Sequence, residues 1–302
     1  MPSSTLRDQL HRDGFVVIRD LFPAAQVTAL REAAARTAAL SRSGGWPHVR
    51  TVGKQFPPWN AADAAAHGIW GVQGLNDPAL PESSAFLRAY FSDEILGVAK
   101  QLMADGATTD DDLVMELHNM LVAPPTDFAL RWHRDDIPAS ATAEQELERL
   151  LSNPQQQQQQ WHTQWNLALC EGGDESLVVV PGSHRRARTD VERGADPFEA
   201  RLPGQLVVRL GPGDAVFYDN NILHRGVYDA SRERLSLHGS VGHAAGSKAR
   251  ARNVLQHGVG AWVDTCDFGV LDEALRPRAE AMRARLVKLG RESGDVGFSL
   301  TG

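Results

Sequence analysis

Residues 206–226 read LVVRLGPGDAVFYDNNILHRG. Two apolar runs rich in β-branched residues, Leu206–Leu210 and Ala215–Tyr218, flank Gly211-Pro212-Gly213-Asp214, a cluster that reads as a turn between strands. His224 falls just beyond the second run. Similar short runs start at Leu113-Val114-Met115-Glu116-Leu117 and recur at Thr163–Leu169, Leu177–Val180 and Arg234–Val241, with Pro181-Gly182 as another turn. Short strands in series, without intervening helices, predict an antiparallel sandwich or barrel and not a doubly wound sheet.

Other elements frame this strand region. Gly14-Phe15-Val16-Val17-Ile18 reads as a strand, and Pro23 suits the first turn of a helix with Val27, Leu30 and Ala34 on one face. Residues 44–82 hold Trp46, Trp59 and Trp70 among prolines and glycines with little periodicity, and are expected to form a long, partly ordered loop region. Residues 83–103 read as one helix, with Asp93-Glu94 early and Ile95, Ala99 and Leu102 on one face. An insert, 140–160, interrupts the strands: a short charged helix at Ala143–Leu151, then Asn153-Pro154 and Gln155–Gln160, a low-complexity run expected at a loop tip. A C-terminal helix is expected over 272–289, with Leu275, Met282, Leu286 and Leu289 as its stripe and Gly290 as its stop. Nothing in the pattern splits the chain, so a single domain over 1–302 is expected.

Composition narrows the function classes. The 302 residues carry 31 Lys plus Arg against 38 Asp plus Glu, a net charge of −7. That balance argues against a general nucleic-acid binder, which needs a basic face. Two cysteines, Cys170 and Cys266, provide neither a disulfide framework nor a Cys-rich zinc site. No apolar run approaches the ~18 residues of a membrane span. A cytoplasmic enzyme is the expectation.

The chemistry centres on Arg131-Trp132-His133-Arg134-Asp135-Asp136. On an extended backbone, His133 and Asp135 point the same way and can face one ion together. A second histidine would complete the two-His, one-carboxylate face of non-haem Fe(II) oxygenases, and His224 is the candidate. The triplet alone is not specific, since His11-Arg12-Asp13 matches it too and reads as surface. Ten residues after His224 stand Arg234 and Ser236, which also share a strand face. An Arg and a Ser aimed together can hold the carboxylate of an organic acid.

The chain resembles the phytanoyl-CoA dioxygenase family of Fe(II)- and 2-oxoglutarate-dependent oxygenases. The resemblance rests on Asp13–Ile18, Trp132–Asp135, Val179-Val180-Pro181-Gly182-Ser183-His184, Gly213–Val216, Leu223-His224-Arg225-Gly226 and Arg234, in family order from about residue 8 to 241. It implies a mainly β fold with flanking helices around a double-stranded β-helix, a cupin-like jelly roll whose mouth holds the metal. It implies His133, Asp135 and His224 as iron ligands and Arg234 on the distal carboxylate of 2-oxoglutarate, with Ser236 as helper and Arg232 as runner-up. Gln164, Asn166 and Asn119 are further candidates to touch 2-oxoglutarate. The implied reaction consumes 2-oxoglutarate and O2, releases succinate and CO2, and hydroxylates a C–H bond. An Asp at the carboxylate position favours hydroxylation over halogenation.

The substrate is expected to be a small metabolite, with an anionic one suggested by basic residues. Trp46, His48, Arg50 and Trp59 in the Trp-rich region, and Arg185 after the Pro-Gly turn, are the substrate-binding candidates. His184 is read as support for a turn, and His118, His162 and His238 as packing or pocket-lining residues. Trp262 joins Trp46 and Trp59 as lid or core. The insert is expected to shape the pocket entrance. Two rival readings are a catalytically inactive member acting as a binding protein and a cupin-like enzyme using another divalent metal; turnover that depends on 2-oxoglutarate separates all three.

Overall fold

The computed structural model describes residues 5–55, 59–151 and 161–296. The chain opens with α1 (Leu6–Asp13), begun by a capping box in which Thr5 and Asp8 each bond the other's backbone N–H. Then follow β1 (Phe15–Ile18) and α2 (Ala24–Arg42), with Pro23 at the N-cap. The Trp-rich region is not a loop throughout. It carries β2 (Val49–Thr51), α3 (Ala61–His67) and β3 (Ile69–Val72), elements too short for periodicity to reveal. The expected helix 83–103 is two helices, α4 (Ser83–Tyr90) and α5 (Asp93–Leu102). Ser92 starts the second by accepting from the Ile95 backbone N–H.

The strand series continues with β4 (Leu113–Val122), β5 (Phe128–Ala129), β6 (His162–Ala168) and β7 (Leu177–Val180), the insert helix α6 (Ala143–Leu151) falling between β5 and β6. After α7 (Asp190–Gly194) come β8 (Leu206–Val207), β9 (Ala215–Tyr218), β10 (Leu223–Tyr228) and β11 (Leu235–His243). β8 is shorter than the apolar run suggested, and His224, beyond β9 as expected, lies in a further strand, β10. Two α-helices follow β11, α8 (Lys248–Gln256) and α9 (Arg276–Arg291). The glutamine run lies outside the described residues.

The strands form a seven-stranded sheet, β1-β9-β6-β11-β4-β3-β2, and a four-stranded sheet, β5-β10-β7-β8. Within each, every recorded pairing is antiparallel. The large sheet alternates along β6 and along β11 up to the irregularity between Gly239 and Val241. Leu235, Leu237 and Val241 of β11, with Trp165 and Leu167 of β6, join the core against the helices. Ala168, Val216 and Tyr218 on its other face pack against Leu177 and Val179 of the small sheet. That is the jelly-roll sandwich. Near the open end the inner face turns polar: Gln164, Asn166, His238 and Ser240 border a cavity between the sheets. No helix among the described residues is long and apolar enough to cross a membrane.

Gly290 is not a stop. It lies buried within α9, whose first turn carries Pro277. A Cβ there would come 2.4 Å from Leu255 Cδ1 and 3.2 Å from the Ala251 carbonyl, so the absent side chain lets α9 approach α8 closely. Because α8 also walls the cavity, overpacking this contact disturbs both. Gly290→Val is expected to lower stability by about 1–3 kcal/mol in urea unfolding. An unchanged midpoint would mean that α8 can retreat freely.

Candidate metal centre and adjoining cavity

The chain after β5 runs irregularly alongside β10. His133 N–H donates to the His224 carbonyl and His224 N–H to the His133 carbonyl, both at 3.0 Å. Residues opposed in this way present their side chains on one face, and Asp135, two residues on, shares it. His133 Nε2 and His224 Nε2 stand 3.6 and 3.7 Å from Asp135 Oδ1. The three ligand atoms all lie within 4.8 Å of one another.

The tautomers follow from the backbone. His133 Nδ1 lies 2.8 Å from the Arg131 carbonyl, and His224 Nδ1 lies 2.8 Å from the Ile222 carbonyl. A carbonyl only accepts, so each Nδ1 carries a proton and Nε2 is the nitrogen each ring turns toward Asp135. Burial, followed by the neighbouring His224, pushes His133 down to about 4, so its imidazole is neutral at pH 7. Burial alone would raise Asp135, but His224, His133 and a bond from Gln164 hold it below the usual carboxylate range. Gln164 Nε2 donates to Asp135 Oδ2 at 3.0 Å and leaves Oδ1 for the centre. Two imidazoles and one carboxylate suit a divalent transition-metal ion.

The centre opens into a cavity of about 500 Å³. Arg234 lines it and is itself buried. Its Nε donates to Asp174 Oδ2 at 3.1 Å, its Cζ sits 4.5 Å over the Tyr228 ring, and its Nη1 is buried without a partner. Burial disfavours the charge, yet Asp174 and Tyr228 keep Arg234 cationic. The Ser236 hydroxyl donates to the same Asp174 oxygen, so Ser236 braces the arginine's partner and does not line the cavity. Asp174 escaped sequence reading because Gly172-Gly173-Asp174 looks like an ordinary turn; only folding brings it under β11. Arg232 is half exposed, bonds the Gly172 carbonyl and pairs with Glu175, away from the main cavity.

Arg50 enters from the opposite wall. It pairs with Gly71 across β2 and β3, and a Cβ on Gly71 would come within 3.0 Å of Arg50 Cδ. The glycine therefore lets the arginine lie across β3. Arg50 Cζ stands 5.0 Å from the Trp70 ring and 5.6 Å from Trp59. Asn119 is buried beside it and does not line the main cavity. In the amide orientation that satisfies both its atoms, Asn119 accepts from Arg50 Nη2 at 3.2 Å and donates to the His118 carbonyl. Asn166 lines the cavity and holds His238 Nδ1 at 2.8 Å.

Of the five substrate candidates, Arg50 and Trp59 line the cavity, and three do not. Trp46 is a core residue whose indole N–H donates to the Gln73 carbonyl. His48 faces a small separate hollow, and Arg185 lies beside His11 on the outside. Trp262 is also core. His184 bonds the His11 carbonyl at 3.2 Å and His118 bonds Asn76, while His238 is the cavity residue of that group. The insert helix α6 borders a second cavity through Arg149 and Leu150, not the main one. The missing wall comes from α8, where Arg250 and Asn253 line the cavity and Arg250 pairs with Glu116 at 2.8 Å. The sequence Lys248-Ala-Arg-Ala-Arg-Asn253 shows too weak an apolar stripe to announce that helix.

The fold and the centre define a jelly-roll protein with a two-histidine, one-carboxylate site. The family model described as phytanoyl-CoA dioxygenase matches residues 10–232, and the chain belongs to that family. The AviO1 structure from Streptomyces viridochromogenes Tue57 is 17% identical, with 80% of this chain and 94% of that one aligned at a TM-score of 0.53. EctD from S. alaskensis with bound Fe is 18% identical over 79% of this chain and 76% of that one, at 0.52. A second EctD structure, with 2-oxoglutarate and 5-hydroxyectoine, is 17% identical over 78% and 74%, also at 0.52. These likenesses bear on the fold. No curated protein matches the sequence.

The Asp174–Arg234 pair is buried on both sides. Asp174→Ala is therefore expected to cost about 3–5 kcal/mol in chemical denaturation, because it strands a buried cation. Asp174→Asn keeps an acceptor and should lose less. Equal losses from the two would mean that charge is not what holds Arg234.

Proposed function

We propose that this protein is an Fe(II)- and 2-oxoglutarate-dependent oxygenase that hydroxylates a C–H bond of a small metabolite. His133, Asp135 and His224 hold the iron, and Arg234 pairs with the distal carboxylate of 2-oxoglutarate. One observation carries the reading: a carbonyl-fixed His, Asp, His face and a buried arginine with a spare N–H share one cavity. Iron, 2-oxoglutarate and O2 supply the oxidising chemistry when bound, with succinate and CO2 as co-products.

The chain's own residues bind, orient and shield. The Arg131 and Ile222 carbonyls hold both imidazoles in the ligating tautomer. Gln164 fixes the Asp135 carboxylate, and Asp174 with Tyr228 fixes the plane of Arg234. Arg234 Nη1 is then ready to donate without reorganising. Burial, then Arg50, drives His238 down to about 3, so it stays a neutral partner of Asn166 and does not compete as a cation. Leu121, Leu177 and Tyr228 line the cavity and limit water around the co-substrate.

Anaerobic addition of Fe(II) and then 2-oxoglutarate should produce a charge-transfer band in the visible spectrum, absent in Asp135→Ala. A folded protein with no band would sink the assignment. Arg234→Gln should raise the 2-oxoglutarate concentration needed for the band about 10- to 150-fold, the equivalent of one charged hydrogen bond of ~1.5–3 kcal/mol. Arg232→Gln should leave it unchanged; the reverse pattern would exchange the two roles.

A further inference from the structure

Three arginines line the main cavity, and two have carboxylate partners: Arg234 with Asp174, Arg250 with Glu116. Arg50 has no ion pair among the described residues, and its buried Nε has no hydrogen-bond partner. Burial weighs against its charge. A cation that is desolvated and left without a counter-ion is costly to keep. It is also held in place: Trp70 and Trp59 flank the guanidinium, Asn119 is poised to accept from Nη2, and Gly71 gives the stem its path. This is an orientation built for an anion that no described residue sets against it.

The register separates this arginine from the co-substrate anchor. Arg50 pairs with Gly71, Gly71 with Leu121, and Leu121 with Ser236. Three strand spacings, about 14 Å, thus lie between the Arg50 backbone and β11, which carries Ser236. The wall around Arg50 includes Trp59, Trp70 and Leu130, an apolar surface beside one cation.

We propose that Arg50 anchors a carboxylate of the primary substrate, a carboxylic acid whose apolar body lies against Trp59, Trp70 and Leu130. This rests on the proposed role of Arg234, since it requires the co-substrate to use the other arginine.

The test uses the full chain loaded anaerobically with Fe(II) and 2-oxoglutarate. Cyclohexanecarboxylate, cyclohexyl phosphate and the neutral cyclohexanecarboxamide are titrated, with quenching of tryptophan fluorescence as the readout. The carboxylate is expected to bind about tenfold or more tightly than the amide. Arg50→Gln should erase that preference, and Arg50→Lys should restore part of it. The charge-transfer band should need the same 2-oxoglutarate concentration in all three proteins, which also reports that the variants fold. Tighter binding of the phosphate than the carboxylate would overturn the carboxylic-acid assignment. A preference that survives in Arg50→Gln, or no carboxylate binding to the native protein at millimolar concentration, would overturn the anchor. A raised 2-oxoglutarate requirement in Arg50→Gln would also overturn it, by giving Arg50 to the co-substrate. Failure of the band in the native protein would instead count against the proposed function, and the fluorescence preference would still be read independently.

Discussion

The reciprocal backbone bridge between His133 and His224 is the constraint on which the site depends. Ninety residues of chain lie between the two histidines, and a single pair of N–H to carbonyl bonds sets them on one face. The same backbone supplies the carbonyls of Arg131 and Ile222, two residues before each histidine, that fix the tautomers. Position and protonation are therefore outcomes of one local ladder. Asp135 follows two residues on, its N–H donating to the Asn220 carbonyl and its carboxylate held by Gln164.

Buried charge holds that ladder in place. Arg134, the residue between His133 and Asp135, points away from the centre and donates to the carbonyls of Ser183, Arg186 and Asn221. It clamps the ligand-bearing segment to the turn after β7 and to the loop before β10. Glu146 of the insert helix is fully buried and pairs with Arg188 and Arg193. The insert thus braces the same region from behind. Buried ion pairs of this kind seldom add net stability, but they penalise any arrangement that separates the partners. Together with Asp174 under Arg234, they make the site's geometry expensive to lose.

Much of the fold was legible because strands alternate and turns carry glycine and proline. β1, β4, β6, β7, β9 and β11 all fall on runs rich in β-branched or large apolar residues. β2, β3 and β5 were not legible: they are two to four residues long and lie in Trp-, Pro- and Gly-rich surroundings that show no period. The tryptophans illustrate the same limit. Trp46, Trp59 and Trp70 look alike in sequence, yet one fills the core and two face the cavity. Aromatic residues suit both settings, and only packing distinguishes them.

By itself the sequence determined the sheet-rich architecture, the His-x-Asp segment, the distant histidine and the arginine ten residues after it. Each is carried by a local period or a spacing along a strand. The tertiary structure decided which partners meet: Asp174 under Arg234, Gln164 on Asp135, Asn119 beside Arg50, and α8 as the far wall. Those pairs join residues far apart in the chain, through bonds and burial that no local pattern encodes. They depend on strand register, in which a slip of one residue turns every side chain to the other face.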